Sequence, residues 1–119
     1  MFQWMPESEG TLVSLKLVGR FTEVDCEETL PKLINVIEKE GTLRLVADLS
    51  DFDGWEWRAA WDEQAFGKKY WKDVRKIALL GTLGWAILVA RIAAALTNTE
   101  VRVFEDRDKA LFWVRGEST

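Results

Sequence analysis

The sequence has 119 residues, of which 48% are hydrophobic, and this is the size of one domain with its own core. It has no histidine and one cysteine, Cys26, which excludes Ser-His-Asp and Cys-His catalysis, histidine-ligated metal sites and an internal disulfide. The net charge of −4 gives no general attraction to nucleic acid. We therefore expect residues 1–119 to form a single domain that does not bind nucleic acid.

Two strands are predicted at the start of the chain. Residues 2–5 form a short candidate strand, and the turn-forming residues 6–10 separate it from the next one. Residues 11–18 alternate between apolar and polar side chains, with Lys16 on the polar face. This alternation predicts a strand that buries one face and exposes the other.

A helix is predicted to follow these strands. Thr22 is the expected N-cap, with Asp25 three residues later as its capping-box partner. Apolar residues then recur at helical spacing over residues 26–37. Pro31 lies inside this pattern and is expected to kink the helix or split it in two. Gly41 is the expected C-terminal stop.

The middle of the chain predicts a strand, a helix and another strand. Residues 43–49 place their apolar side chains on one face, as a half-buried strand does. Residues 50–54 are rich in Asp, Ser and Gly, which favour turns, so a loop is expected there. A helix is predicted over residues 55–70 and a short apolar strand over residues 74–80.

The last part of the chain predicts a further helix, strand and helix. Residues 81–84 form a glycine-containing turn, which lacks the third glycine of a dinucleotide-binding fingerprint. A helix is expected over residues 85–96 and a strand over residues 101–104. Asp106 is the expected cap of a final helix that ends near Arg115.

The element order is β-β-α-β-α-β-α-β-α, which predicts an α/β fold with mostly parallel strands. Lys16, Arg44 and Arg102 each lie opposite the apolar face of their own strand. Because a sheet covered on both faces has nearly continuous apolar strands, these cations indicate a sheet covered on one face. We therefore expect a mixed five-stranded sheet with four helices packed on one face.

Three segments carry a family resemblance. They are the run Asp48-Leu-Ser-Asp-Phe-Asp-Gly-Trp55, the run Ala60-Trp-Asp62 and the pair Phe66-Gly67. In these segments the chain resembles the SpoIIAA-like family of small bacterial proteins. The resemblance implies a fold like that of STAS domains, and it implies non-catalytic binding and membrane association as functions.

Two departures from the family pattern bear on function. STAS antagonists carry a phosphorylatable Ser or Thr at the start of the helix after the third strand, and the matching residues 53–57 contain no hydroxyl group. Control by phosphorylation at that point is therefore not expected. Relatives also carry more charge in the helix after the fourth strand, whereas residues 85–96 contain only Arg91.

Tryptophan is concentrated in the helix predicted over residues 55–70. The chain has seven tryptophans, and this helix would carry aromatic side chains on two opposite faces. One face can pack on the sheet, and the other is either buried under a neighbouring helix or lines an apolar pocket. The residues of the predicted ligand site are Trp55, Trp57, Trp61, Phe66, Tyr70 and Trp85.

A basic run with interleaved aromatic residues follows over residues 67–76. Lysine and aromatic side chains in this arrangement suit an anionic bilayer surface. The alternative is a solvated helix end whose lysines complement the helix dipole. The residues of this candidate membrane or anion surface are Lys68, Lys69, Trp71, Lys72 and Lys76.

The apolar stretch over residues 77–96 contains one charge, Arg91. Its length would allow a transmembrane helix, but the glycines of residues 81–84 predict a strand followed by a helix instead. Within that helix, small residues at four-residue spacing permit close packing of another helix. Packing between neighbouring helices, a homodimer seam and a membrane-facing surface are the alternatives.

Acidic residues cluster after the third strand, where ligand sites of α/β folds often lie. The cluster comprises Asp48, Ser50, Asp51, Asp53 and Glu56. Its oxygen atoms are of the type that Mg²⁺ prefers, but the spacing matches no metal-binding loop. No metal and no cofactor are therefore predicted.

These observations favour a non-catalytic SpoIIAA-like binding or regulatory module. Its expected partners are an apolar or amphipathic small molecule, a membrane surface contacted peripherally, a protein or a second copy of the chain. The alternative is a protein–protein regulator that resembles anti-sigma factor antagonists but has no phosphoacceptor. Residues 1–4 do not resemble a signal peptide, so a cytoplasmic protein, with or without peripheral membrane contact, is expected.

Overall fold

The computed structural model describes residues 2–55, 72–81 and 99–116, which form five strands and two helices. These elements are β1 (Phe2–Trp4), β2 (Leu12–Phe21), α1 (Glu23–Glu40), β3 (Leu43–Trp55), β4 (Val74–Leu80), β5 (Glu100–Phe104) and α2 (Arg107–Val114). The helix predicted over residues 85–96 lies outside the described residues. So does the helix predicted over residues 55–70, apart from its first residue.

The five strands form one mixed sheet in the order β1-β2-β3-β4-β5, which confirms the predicted α/β fold with a five-stranded mixed sheet. The strand β1 is antiparallel to β2, and the other neighbouring pairs are parallel. The register places Lys16 beside Asp48 and Arg44 beside Lys76 on neighbouring strands. Polar side chains from different strands therefore meet on one face of the sheet.

The strand β3 is longer than predicted and continues to Trp55, alongside β2 as far as Phe21. The prediction of a loop over residues 50–54 is therefore wrong, and Trp55 ends a strand instead of beginning a helix. Phe52 is buried in the core while Asp51 and Asp53 on either side of it are exposed. This alternation is a strand pattern, and it outweighs the turn preference of the aspartates.

The helix α1 begins and ends where the sequence predicts. The hydroxyl of Thr22 accepts a hydrogen bond from the Asp25 amide at 3.1 Å, and an Asp25 carboxylate oxygen accepts one from the Thr22 amide at 2.9 Å. Gly41 closes the helix with φ = +84°. Pro31 does not split the helix. Pro31 and Glu27, whose carbonyl would otherwise accept the missing hydrogen bond, are both exposed, so water can reach this carbonyl.

The capping box is expected to contribute measurably to stability. Replacement of Thr22 by alanine is expected to lower the free energy of unfolding by about 1 kcal/mol, because the Asp25 amide loses its acceptor. Urea unfolding followed by circular dichroism measures this difference. The matched variant Thr22→Ser keeps the hydroxyl and should retain most of the stability. Equal losses in the two variants would contradict a role for the hydrogen bond.

The two helices lie on opposite faces of the sheet. Side chains from α1 pack with Val13 of β2 and Leu79 of β4 in one core, and Cys26 of α1 is buried as predicted. Side chains from α2 pack with Leu12 of β2 and Leu80 of β4 in a second core. Because successive side chains of a strand point to opposite faces, the cores are on opposite faces. The prediction that all the helices pack on one face is therefore wrong.

The charged strand residues explain this difference. Arg44 and Lys76 donate hydrogen bonds to backbone carbonyls at the carboxyl end of α2, and Arg102 lies over the Trp113 ring. A face that carries cations can therefore still be covered by a helix. The right-handed crossover rule fixes the face of a helix such as α1, which connects two parallel strands. It does not fix the face of α2, which follows the last strand.

The helices among residues 2–55, 72–81 and 99–116 are too short or too polar to cross a membrane. The apolar stretch over residues 77–96 begins as part of strand β4, in agreement with the predicted strand at this point. The small-residue surface predicted for the helix over residues 85–96 lies outside the described residues and stays a prediction.

Candidate functional site

One polar cluster lies where the amino end of α2 meets β3, and we call it the arginine bridge: Glu7, Asp48, Ser50 and Arg107. The guanidinium of Arg107 forms an ion pair with the carboxylate of Glu7 through Nη1. Its Nη2 lies 2.6 Å from Oδ2 of Asp48, whose residue is 8% exposed. Arg107 thus joins the turn after β1, the middle of β3 and the first residue of α2.

Serine hydroxyl groups complete the environment of both carboxylates. Ser14 donates a hydrogen bond to Oε1 of Glu7 at 3.0 Å. Ser50 donates two to Oδ1 of Asp48, from its amide at 2.9 Å and from its hydroxyl at 2.6 Å. The oxygen atoms of Asp48 are thus divided between Ser50 and Arg107.

These contacts favour the ionised form of both carboxyl groups. Burial by itself would raise the pKa of Asp48, but the hydrogen bonds from Ser50 and the charges of Arg107 and Lys16 outweigh it and lower the pKa. Burial would likewise raise the pKa of Glu7, and its hydrogen bonds, together with Arg107, lower it below the ordinary value. Neither carboxyl group therefore has the raised pKa of a general acid working near neutral pH.

The neighbouring acidic residue Asp51 is also paired. Its Oδ2 lies 2.9 Å from Nζ of Lys16, and the hydrogen bond and charge of Asp51 raise the pKa of that amine. No group of three or more potential metal-ligating side chains occurs within residues 2–55, 72–81 and 99–116. Asp48 and Asp51, from the acidic cluster that the sequence singles out, each contact a cationic side chain, which makes them poor ligands for a hard cation such as Mg²⁺.

A second cluster lies at the carboxyl end of α2, and we call it the basic row: Arg44 of β3, Lys76 of β4 and Arg102 of β5. Arg44 and Lys76 are direct neighbours in the register. Arg44 donates through Nη1 to the carbonyls of Val114 at 3.3 Å and Arg115 at 2.8 Å. Lys76 donates through Nζ to the carbonyl at position 113, at 3.1 Å. Strand side chains therefore cap the end of this helix.

The indole of Trp113 lies at the centre of the basic row. The Lys76 ammonium is 4.9 Å from its ring centroid and the Arg102 guanidinium carbon is 5.4 Å from it, which are cation–π distances. The ring of Phe104 packs beside it with a centroid separation of 5.6 Å. Trp113 is 7% exposed, so the aromatic ring is largely covered by these neighbours.

The structure describes few of the side chains that the sequence predicts as site residues. Lys76 belongs to the basic row, and Lys72 is exposed in the turn before β4. Trp55 is the last residue of β3. The remaining residues of the two predicted sites lie outside the described residues: Trp57, Trp61, Phe66, Lys68, Lys69, Tyr70, Trp71 and Trp85. The predicted ligand site and the predicted membrane surface therefore stay predictions.

The sequence interpretation did not single out Glu7 or Arg107, which form the arginine bridge. One signal for Arg107 is present in the sequence. It lies directly after the N-cap Asp106, where the helix dipole favours acidic side chains over basic ones. A cation at this position indicates an interaction outside the helix.

Comparison with known proteins identifies the class of this fold. The family model described as SpoIIAA-like matches residues 12–115, and the chain therefore belongs to the SpoIIAA-like family. This confirms the resemblance seen in the sequence. The fold of the family is not a known enzyme fold. No curated protein matches the chain in sequence.

Two solved structures are similar to the chain over nearly its whole length. One is an uncharacterized protein from the DUF3478 family with a SpoIIAA-like fold, from Shewanella loihica PV-4. It is 28% identical with a TM-score of 0.75, over 95% of this chain and 93% of that one. The other is the anti-sigma factor antagonist SpoIIAA in its unphosphorylated form. It is 14% identical with a TM-score of 0.63, over 98% of this chain and 99% of that one. The second similarity establishes the fold alone.

Proposed function

We propose that this chain is a non-catalytic regulatory module that binds a protein partner. The observation that carries the proposal is the arginine bridge. Ligand sites of α/β folds often lie at the carboxyl ends of parallel strands, and a catalytic carboxylate there needs an oxygen atom that is free to contact the substrate. Here Asp48 and Glu7 pair with Arg107, and Asp51 pairs with Lys16. This arrangement favours a structural role for the acidic residues.

The structural similarity to SpoIIAA supports a protein as the partner. That protein is an anti-sigma factor antagonist, and its unphosphorylated form has a fold similar to that of this chain. Residues 53–57 of this chain contain no hydroxyl group, so the proposed binding does not depend on phosphorylation there. The module would be regulated by the presence of its partner.

The test is native mass spectrometry of the protein purified from its own host without detergent. We expect a complex of defined stoichiometry between this chain and a second protein. A chain that is recovered bare, as a homodimer or with only a small molecule bound would contradict the proposal. Cross-linking before lysis guards against loss of a weak complex during purification.

A second candidate function is the binding of an apolar or amphipathic molecule or of a membrane surface. The observation that favours it is the tryptophan content of the sequence, with Trp55 at the end of β3 and Trp57, Trp61 and Trp71 between β3 and β4. Large aromatic side chains in excess of what a small core needs are typical of ligand pockets and bilayer interfaces. The same spectra test this candidate: a reproducible small adduct without a protein partner would favour it over protein binding.

A further inference from the structure

We propose that the basic row is the surface to which an acidic segment of a partner protein binds. The proposal deepens the function proposed above, because it rests on a protein partner and names the chemistry of the contact. The surface comprises Arg44, Lys76 and Arg102 with Trp113 between them.

No member of the basic row forms an ion pair with a carboxylate in the described part of the chain, and the register neighbour of Lys76 on β5 is Glu100. Within residues 2–55, 72–81 and 99–116, the carboxylates of Glu7 and Asp48 pair with Arg107 and that of Asp51 pairs with Lys16, and none of these pairs includes a member of the basic row. The whole chain is acidic, with a net charge of −4. Arg44 and Lys76 are direct neighbours in the register of β3 and β4, and like charges placed in this way repel each other and are destabilising. An acidic partner would relieve this repulsion.

Capping of α2 accounts for only part of the basic row. The carboxyl end of a helix carries roughly half a negative charge, and no basic residue lies in the last turn of α2 itself. Arg44 and Lys76 together supply the three hydrogen bonds to the final carbonyl groups. Arg102 makes no hydrogen bond or ion pair with the described part of the chain and is exposed. Its positive charge is therefore not needed for the helix end.

Arg102 is arranged to receive a carboxylate. Its guanidinium lies over the indole of Trp113, which restricts the orientation of the planar group. A guanidinium offers two parallel N–H donors to one carboxylate, and this paired geometry is stronger than a single hydrogen bond. Trp113 thus prepares Arg102 for an anionic group that arrives from solvent.

The form of the surface favours a protein segment over a bilayer. Arg44 and Lys76 are half-buried and Trp113 is largely covered, whereas a bilayer surface is contacted by protruding lysine and aromatic side chains. An extended anionic surface would also be repelled by the net negative charge of the whole chain. A short acidic segment meets only the local positive charge.

The experiment measures binding of a fluorescein-labelled hexaglutamate peptide by fluorescence anisotropy. We expect the variant Arg102→Glu to weaken binding by about tenfold, because a charge that pairs with the ligand becomes a repulsive one. The control Lys109→Glu makes the same charge change at an exposed position near the other end of α2 and should alter binding by less than about twofold. Arg102→Gln, with the thermal midpoint of every variant measured in parallel, separates loss of the contact from loss of the fold.

Several outcomes would overturn the inference. The first is equal weakening of peptide binding by Arg102→Glu and Lys109→Glu. The second is no binding of the wild-type chain at peptide concentrations on the order of 1 mM. The third is tighter binding of the wild-type chain to phosphatidylserine vesicles than to the peptide. A host-protein complex that persists in the Arg102→Glu variant would refute this surface and leave the proposed function standing. Loss of the complex in this variant alone would support both.

Discussion

Replacement of Gly81 by alanine is expected to lower the free energy of unfolding by about 3 kcal/mol. Gly81 follows β4 with φ = +141°, a conformation that other residues rarely adopt. A Cβ atom there would lie 2.9 Å from the Leu49 carbonyl carbon and 3.0 Å from the Ser50 amide nitrogen. Both contacts are with backbone atoms of β3, which cannot move without disturbing the sheet. The thermal midpoint of the variant should fall by about 10 °C.

Gly10 provides a matched control for this prediction. It also has a positive φ, +59°, but nothing lies within 4 Å of the Cβ atom that alanine would add. Gly10→Ala therefore carries the conformational strain without the steric overlap, and we expect a loss of about 1 kcal/mol. The difference between the two variants in urea unfolding measures the contribution of the close approach. Equal losses of stability in the two variants would show that the contact between the added Cβ atom and β3 costs no free energy of folding.

The close approach at Gly81 also bears on the candidate site. Ser50, whose amide would meet the added Cβ, donates both of its hydrogen bonds to Asp48 of the arginine bridge. A shift of the β3 backbone at this point would therefore move a donor to the buried carboxylate. The end of β4 thus fixes the position of the polar groups on β3.

Signals in the sequence predicted the elements well where the stabilising interactions are formed between residues close together in the chain. Thr22 and Asp25 satisfy each other within one turn, and Gly41 adopts the left-handed conformation that ends a helix. The alternation of side chains in residues 11–18 and 43–49 predicted strands that the structure confirms. In each case the deciding interactions are formed by residues close together in the chain.

The placement of helices on the faces of the sheet could not be predicted in the same way. Arg44 has the pattern of a solvent-facing residue, but its hydrogen-bond acceptors Val114 and Arg115 lie 70 and 71 positions further along the chain. A half-buried cation that caps a distant helix has no local signature. The sequence therefore indicated an open face where the structure has a second core.

The same limit applies to the candidate site. Asp48 and Ser50 were singled out as parts of an acidic cluster at the carboxyl end of the third predicted strand. Arg107, which pairs with Asp48, lies 59 positions from it in the chain. Glu7, the second partner of Arg107, lies 100 positions from Arg107. Sequence alone showed the carboxylates but not the cation that neutralises them.

Replacement of Arg107 by methionine is expected to lower the free energy of unfolding by about 2 kcal/mol at pH 7. The loss arises because Asp48, which is buried, and Glu7, which is half-buried, remain ionised after their common cation is removed. Removal of one partner of such a cluster leaves a charge that is neither paired nor fully hydrated. Urea unfolding followed by circular dichroism measures the loss. Lys109→Met is the matched control, since it removes an exposed cation from the same helix, and it should leave stability almost unchanged.

The pH dependence tests the same contact independently. Because the pKa values of Asp48 and Glu7 are lowered in the folded chain, these groups stabilise the fold above their ordinary pKa values, near 4. This stabilisation is lost as the pH falls through the lowered values. Arg107→Met removes one cause of the lowering, so the difference between wild type and variant should be largest at neutral pH and shrink below about pH 4. A difference that stays constant down to pH 2 would mean that the ion pairs of Arg107 with Asp48 and Glu7 are not the source of its contribution to stability.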